Sequence, residues 1–226
     1  MVTALYKRDN PKPPDISFIL LDWNVRDSCF MLDYLEHQDI PRERYEVIWI
    51  EYYSRRHPEL VNRLNKSRMF GTRFELDQWL LMEMPEDAYY HKHLMYNVGI
   101  VASRGNIVTV CDSDALVRPS FVRAILESFS REPNLALHLD ELRSRSNRYY
   151  PFNYPSVEEV TASESFNGVE GKPRGLVDHS DPLHLPNYGA CLAARREDLI
   201  AIGGAGFACP AGICNALRSV SPAWPI

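Results

Sequence analysis

Long apolar runs are missing from this chain of 226 residues, and it has only five cysteines. No run approaches the roughly 20 apolar residues that a membrane-spanning helix needs. Residues 1–14 are polar and proline-rich and lack the apolar core of a signal peptide. The cysteines are odd in number and widely spaced, which favours reduced thiols over a disulfide framework or a zinc motif. We therefore expect a cytoplasmic chain without a transmembrane segment.

An excess of positive charge is also missing. Lys and Arg together number 25 and Asp and Glu 30, so the net charge is −5. That balance gives no support to a general nucleic-acid or anionic-membrane binder. The content of 45% hydrophobic and 24% charged residues is ordinary for a globular protein and excludes a disordered chain. At roughly 150 residues per domain, the length predicts one compact domain with an incomplete appendage.

Carboxylate side chains are missing from the last part of the chain. None follows Asp198, and Arg218 is the only charged residue in the segment 203–226. Four of the 11 glycines fall in these 24 residues. This shift in composition sets residues 205–226 apart as an atypical tail.

Strand-length apolar runs alternate with helical patterns in the first part of the chain. Apolar runs predict strands, and apolar residues at helical spacing predict helices between them. The predicted strands cover 16–21, 45–50 and 107–111, and the predicted helices cover 26–38, 91–103 and 119–130. Gly105 is expected to end the second of these helices. The alternation predicts an α/β fold, a mostly parallel sheet with helices on both faces.

The same sequence pattern predicts the domain organisation. Residues 1–14 are interpreted as a flexible N-terminal arm, and residues 15–204 as the domain itself. Within it, residues 140–186 are polar and form a long loop excursion, of the kind that often serves as a lid or binding loop. Order resumes with a strand-like run at 187–194 and a short helix that Gly203 and Gly204 end.

Three predicted strands end in polar side chains. Asp22, Trp23 and Asn24 follow the first strand, Glu51 the second, and Asp112, Ser113 and Asp114 the third of these. Ligands of open α/β sheets bind outside the carboxyl ends of the strands, where these side chains would converge. We expect the functional site at this edge of the sheet.

Asp112 and Asp114 are the sharpest feature of that edge. Side chains at positions i and i+2 of an extended segment point to the same side, and two carboxylates there repel unless a cation lies beside them. Mg²⁺ and Mn²⁺ favour such oxygen ligands, with substrate phosphates completing the shell. The alternative interpretation is a turn and helix N-cap before Pro119. The site would suit a nucleoside diphosphate bound with the metal.

Three separated stretches resemble the family 2 glycosyltransferases of the GT-A fold. Residues 97–114 are similar to the family's N-x-G-x-x-x-A-x-G stretch that ends in D-x-D. Residues 18–24 resemble its first strand, and residues 188–204 its later block of two arginines followed by Gly-Gly. The motifs occur in the family's order, and the resemblance covers roughly residues 15–204.

The resemblance implies a role for each matching residue. Trp23 would flank the nucleobase, with burial in the core as the equal alternative, and Glu51 would accept a hydrogen bond from base or ribose. Asp112 would contact the ribose or a metal-bound water, and Asp114 would bind the metal. Lys92 would meet the phosphates or lie on a solvated helix face. The implied nucleotide-sugar-binding set is Asp22, Trp23, Asn24, Glu51, Lys92, Asn97, Asp112 and Gly189.

The resemblance also implies a hexosyltransferase-like reaction. A sugar would move from a nucleoside-diphosphate sugar to a hydroxyl of a glycan or other acceptor, with inversion and with Mn²⁺ or Mg²⁺ on the leaving diphosphate. The family's general base follows the Gly-Gly block, where this chain has no carboxylate. Either the tail 205–226 is truncated or frameshifted, which we favour, or Asp178 or Asp181 supplies the base. The first explanation predicts nucleotide binding with poor turnover.

Two other functions compete with this interpretation. The first is a non-catalytic nucleotide-sugar or glycan-binding module on the same scaffold. The second is a phosphotransferase of the haloacid dehalogenase type, which also has D-x-D after a strand. That family places the motif near its first strand, whereas here it lies at residues 112–114.

Overall fold

The computed structural model describes residues 2–22, 28–113, 115, 117–138, 142–143, 156–162, 166–167 and 191–204. Its strands are β1 Thr3–Lys7, β2 Ile16–Asp22, β3 Tyr45–Tyr53, β4 Gln78–Met84, β5 Ile107–Asp112, β6 Leu137–His138, β7 Leu142–Arg143, β8 Phe166–Asn167 and β9 Cys191–Arg195. Its helices are α1 Phe30–Glu36, α2 Pro58–Phe70, α3 Lys92–Ala102, α4 Phe121–Arg131, α5 Val157–Ala162 and α6 Arg196–Ala201.

The described strands form a seven-stranded sheet in the order β1-β4-β3-β2-β5-β9-β6, and β7 pairs with β8 apart from it. The central strands β4, β3, β2 and β5 are parallel to one another. β1 and β9 run against them, and β6 is antiparallel to β9. Five of the seven strands therefore share one direction, which confirms the predicted mostly parallel α/β sheet.

Helices cover both faces of the sheet and bury two hydrophobic clusters. One cluster packs α1, α2 and α4 against side chains such as Phe18 and Trp49. The other packs α3 and α6 against side chains such as Ile19 and Ile48. Neighbouring residues of one strand thus serve opposite faces, and each large apolar side chain contributes about 1.5–3 kcal/mol when it is fully buried.

The N-terminal arm is not loose where the structure describes it. β1 pairs antiparallel with β4, and Tyr6 packs edge-on against Phe74 with ring centroids 5.0 Å apart. Arg8, just after this strand, pairs with the buried Asp77 at 3.1 Å. The prediction of a flexible arm is therefore wrong for Thr3–Lys7, because pairing with β4 gives this short polar segment its backbone hydrogen bonds.

Gly105 does not end a helix, contrary to the prediction. α3 ends at Ala102 and Ser103 is its C-cap residue. A Cβ on Gly105 would lie 2.7 Å from the Ile16 carbonyl carbon and 2.8 Å from the Ser17 nitrogen, so close approach of two backbones requires this glycine. Gly203 and Gly204 follow the end of α6 with φ of 84° and 83°, where the predicted helix end is confirmed.

Cys29, Cys111 and Cys191, the cysteines that the structure describes, are free and buried. Among the described helices, none combines the length and the apolar character that a bilayer crossing would require.

Candidate functional site

The parallel register brings three acidic residues to one edge of the sheet. Asp22 at the end of β2 pairs with Glu51 on β3. Leu21 on β2 pairs with Asp112 at the end of β5. The structure therefore places Asp22, Glu51 and Asp112 at the carboxyl ends of three neighbouring strands, where the sequence predicted the site. Their roles remain predictions.

Glu51 is fully buried, and its two oxygens have different surroundings. Oε1 accepts the backbone N–H of His57 and the indole N–H of Trp79, each at 2.9 Å. Oε2 is also buried, and no described residue donates a hydrogen bond to it. The carboxyl group is thus fixed in orientation while keeping an unused acceptor at the sheet edge.

The surroundings of Glu51 also change its acidity. Burial raises the pKa of Glu51 from 4.5 to about 7, and the nearby Asp22 carboxylate adds to the rise. The hydrogen bonds from His57 and Trp79 favour the ionised form and oppose the rise. A carboxyl group that exchanges its proton near neutral pH can accept or donate a hydrogen bond, as the ligand requires.

Asp112 differs from Glu51 because about a third of its side chain is exposed. Lys92, in the first turn of α3, contacts its Oδ1 at 2.6 Å. The Lys92 ammonium also lies 5.6 Å from the ring centroid of Tyr96. Lys92 is therefore not on a merely solvated face, and Asp112 is not the cap of α4, whose N-cap residue is Ser120.

Tyrosines position the loop that precedes Lys92. The Tyr52 hydroxyl donates to the Tyr89 carbonyl at 2.6 Å, and the Tyr53 hydroxyl donates to the Ala88 carbonyl at 3.0 Å. Tyr52 follows Glu51 directly, so the end of β3 fixes the loop leading to α3. Neither this role nor the contacts of Trp79 and His57 with Glu51 can be predicted from the sequence, because each is a long-range contact without a local pattern.

The buried thiol of Cys29 contacts His57, the residue whose backbone N–H donates to Glu51. The Cys29 sulfur is 3.4 Å from Nδ1 of His57, and the Cys29 N–H donates to Glu59 at 2.9 Å. Burial raises the pKa of Cys29 far above its ordinary range. Cys29 is therefore a neutral packing group rather than a nucleophile.

The motif residues Asn97 and Gly99 make packing contacts on α3. A Cβ on Gly99 would lie 2.4 Å from Ile19, so the glycine lets α3 approach β2 closely. A Cβ on Gly204 would lie 2.4 Å from the Asn97 side-chain oxygen. The structure thus places Asn97 beside the end of α6, five residues beyond Lys92 on α3.

Several predicted site residues lie outside the described residues, namely Trp23, Asn24, Asp114, Asp178, Asp181 and Gly189. Within the described part, no group of three or more His, Cys, Asp or Glu side chains is placed to hold a metal ion. Asp112 is accordingly the one predicted metal ligand whose position is known among the described residues.

Comparison with known proteins gives structural matches only. No protein-family model matches the sequence, and no curated protein matches it. Residues 1–349 of TarS from S. aureus in complex with UDP align with a TM-score of 0.51 at 14% identity, over 83% of this chain and 48% of that chain. The mannosyltransferase PcManGT from Pyrobaculum calidifontis, in complex with GDP-Man and Mn²⁺, aligns at 0.49 and 18% identity, over 86% and 48%.

The similarity to the TarS–UDP structure shows that the two chains share a fold. This chain spans about half the length of both matched structures.

Proposed function

We propose that this chain, which has the GT-A glycosyltransferase fold, is the donor-binding part of an enzyme that moves a sugar from a nucleoside-diphosphate sugar to an acceptor hydroxyl. The meeting of Asp22, Glu51 and Asp112 at the carboxyl edge of the sheet carries the proposal. The TarS structure that shares the fold was solved in complex with UDP. Membership of family 2, inversion at the anomeric carbon and a cytoplasmic location belong to the same proposal.

Glu51 recognises the nucleoside in this account. Its Oε2 is the unused acceptor, and an N–H of the base or a ribose hydroxyl would donate to it. The donors on Oε1 fix the carboxyl group before the ligand arrives, which lowers the entropy cost of binding. Trp23 would stack on the base, worth about 1–3 kcal/mol in single-stranded nucleic acids, and Asp22 and Asn24 would complete the pocket.

Lys92 and Asp112 would bind the diphosphate of the nucleotide sugar. The Lys92 ammonium is already fixed near the strand ends by Asp112 and Tyr96. A diphosphate bound beside it would gain a charge-assisted hydrogen bond. Asn97 supports this helix against Gly204, and Gly189 would let the sugar approach the backbone.

The residues present fit Mg²⁺ or Mn²⁺. Asp112 offers a partly exposed carboxylate, and such metals typically take one or two protein carboxylates with phosphate oxygens as further ligands. Asp112 and Asp114 would hold the ion. When bound, it would neutralise negative charge on the leaving diphosphate.

The reaction also requires a general base that takes the proton of the acceptor hydroxyl. Asp178 or Asp181 would serve from the excursion 140–186. A non-catalytic nucleotide-sugar-binding module is the second candidate function, and the composition of residues 199–226, which include no Asp or Glu next to the Gly-Gly block, is compatible with it. A mass-spectrometric screen of sugar donors and hydroxyl acceptors separates the two, because only the enzyme yields a glycosylated product.

Calorimetry with UDP and GDP, with and without Mn²⁺, tests donor binding. We expect metal-dependent binding of at least one nucleotide and a loss of about tenfold or more in Asp112→Asn, which removes one charged ligand. Asp39→Asn is the matched control. Asp39 also pairs with a cation, Arg123, at 2.8 Å, and this ion pair is separate from the Lys92–Asp112 pair. Absence of binding by either nucleotide, or equal losses in both variants, would refute the proposal.

A further inference from the structure

Two large apolar side chains lie in solvent at the end of α2. Met69 is 76% exposed and Phe70 is 70% exposed. Earlier in the same helix, Leu60 and Leu64 are buried against the sheet, as an amphipathic helix requires. The inner face of α2 is therefore complete without Met69 and Phe70, and packing within the described residues does not account for them.

The backbone fixes these side chains in that position. Gly71 follows with φ of 61° and its N–H donates to the Ser67 carbonyl. The Thr72 N–H also donates to the Ser67 carbonyl at 3.1 Å, and the Ser67 hydroxyl donates to the Thr72 carbonyl at 2.6 Å. The helix thus ends in a closed turn that presents Met69 and Phe70 outward.

Cations surround the apolar pair. Lys66, Arg68 and Arg73 are exposed, and residues 65–73 contain no Asp or Glu. Among the described residues, no carboxylate forms an ion pair with these three, whereas Arg63, one turn before, pairs with Asp33 at 2.7 Å. Lys66 and Phe70 are four residues apart and share a helix face.

Arg73 extends this group of cations beyond the end of the helix. Burial is the main cause that lowers the pKa of Arg73, and charges of both signs lie near it, namely Arg42, Arg8, Glu36 and Asp77. We call residues 66–73 the α2 tip.

We propose that the α2 tip docks on the surface of an anionic lipid bilayer. Met69 and Phe70 enter the interfacial region, and Lys66, Arg68 and Arg73 pair with lipid phosphates. Apolar side chains flanked by cations bind such surfaces through buried apolar area together with electrostatic attraction. The net charge of −5 acts weakly against this, because charges beyond a Debye length of about 8–10 Å are screened.

The topology gives the docked chain an orientation. The Asp77 N–H bonds the Val47 carbonyl at 2.9 Å, so the segment between α2 and β4 lies at the start of β3. Glu51 lies at the other end of that strand. A bilayer at the α2 tip therefore leaves the carboxyl edge of the sheet facing water.

Vesicle co-sedimentation of the full chain tests the proposal. We expect binding to vesicles of phosphatidylcholine mixed with phosphatidylglycerol, no binding to phosphatidylcholine alone, and weakening by added salt. Met69→Ser/Phe70→Ser should reduce binding by at least about tenfold, because each side chain loses its apolar burial. Lys66→Gln/Arg68→Gln should reduce it roughly fivefold for each cation removed.

The matched control is Tyr89→Ser/Val101→Ser, which removes two side chains that are 81% and 75% exposed elsewhere. It should bind like the unchanged chain. Equal losses in the control, equal binding to both vesicle types, or no binding to either would overturn the proposal. Binding to heparin through the same cations without binding to vesicles would assign the α2 tip to another class of polyanion and would also overturn it.

Discussion

A buried glutamate lies near each end of β3, and the two carboxyl groups differ in their hydrogen-bond and ion-pair partners. Glu46 near its start is 1% exposed and accepts the Ser17 hydroxyl at 2.7 Å and the Arg104 N–H at 2.6 Å. Its other oxygen pairs with the Arg104 guanidinium at 3.0 Å. Glu51 near the end has neutral donors on one oxygen and none among the described residues on the other.

This difference distinguishes a carboxylate that stabilises the fold, Glu46, from one placed for a functional site, Glu51. A buried charge that serves the fold needs full compensation, as Glu46 has and as Asp77 has from Arg42 and Arg8. A buried carboxyl group without a cation partner is costly, and such groups cluster at functional sites. The amino edge of the sheet is therefore the structural edge, and the carboxyl edge is the candidate site.

The largest expected effect is a loss of stability when a buried ion pair at the amino edge of the sheet is removed. Asp77→Ala removes the partner of Arg42 at 2.7 Å, of Arg8 at 3.1 Å and of the Val47 N–H at 2.9 Å. Removing one partner of a buried pair costs about 3–5 kcal/mol, so we expect that loss in urea unfolding. Arg123→Ala, at an exposed pair, should change stability little. Equal stability of the two variants would contradict the assignment.

A smaller change, a gain in stability, is expected from a substitution at the carboxyl edge of the sheet. Because the pKa of Glu51 is raised from 4.5 to about 7 on folding, the folded state binds more protons across that window. Wild-type stability therefore falls as pH rises through it, and stays lower above it. Glu51→Gln removes the titration and should gain on the order of 2–3 kcal/mol at pH above 7. Thermal unfolding at several pH values measures this, and a loss of stability at high pH would be the contrary result.

The smallest effect is expected when Trp79 is substituted, and it is a shift in the pH dependence of UDP affinity. Its indole donates to Glu51 and lowers the pKa of that carboxyl group, so Trp79→Phe should raise it further. If the ionised form binds the nucleotide, the rise of UDP affinity with pH should move upward by about one unit or less. Affinity measured across pH reports the shift, whereas a uniform loss at every pH would indicate a packing role alone.

The sequence predicted the centre of the fold better than its margins. Strands such as Ile107–Asp112 are buried and apolar, so their pattern is visible locally. β1 was missed because it is short and partly exposed, and its order depends on pairing with β4, about 75 residues away. The sequence pattern predicts a helix end at Gly105 because the close approach of its backbone to Ile16 leaves no local pattern.

The same limit applies to the site. Polar residues after apolar strands predicted the positions of Asp22, Glu51 and Asp112, since parallel strands end at one edge. The Lys92–Asp112 pair, and the Trp79 bond to Glu51, each join residues 20 or more positions apart. Such contacts follow from the register of the assembled sheet, which composition and periodicity do not contain.

The most direct test compares UDP affinity in Glu51→Gln and Glu46→Gln at pH 8, by calorimetry with Mn²⁺ present. The two substitutions are chemically identical and lie on one strand. We expect Glu51→Gln to bind UDP at least about tenfold more weakly, as a lost charged acceptor predicts, and Glu46→Gln to keep its affinity while losing stability. Unchanged affinity in Glu51→Gln, or equal losses in both, would contradict the assignment of the carboxyl edge as the nucleotide site.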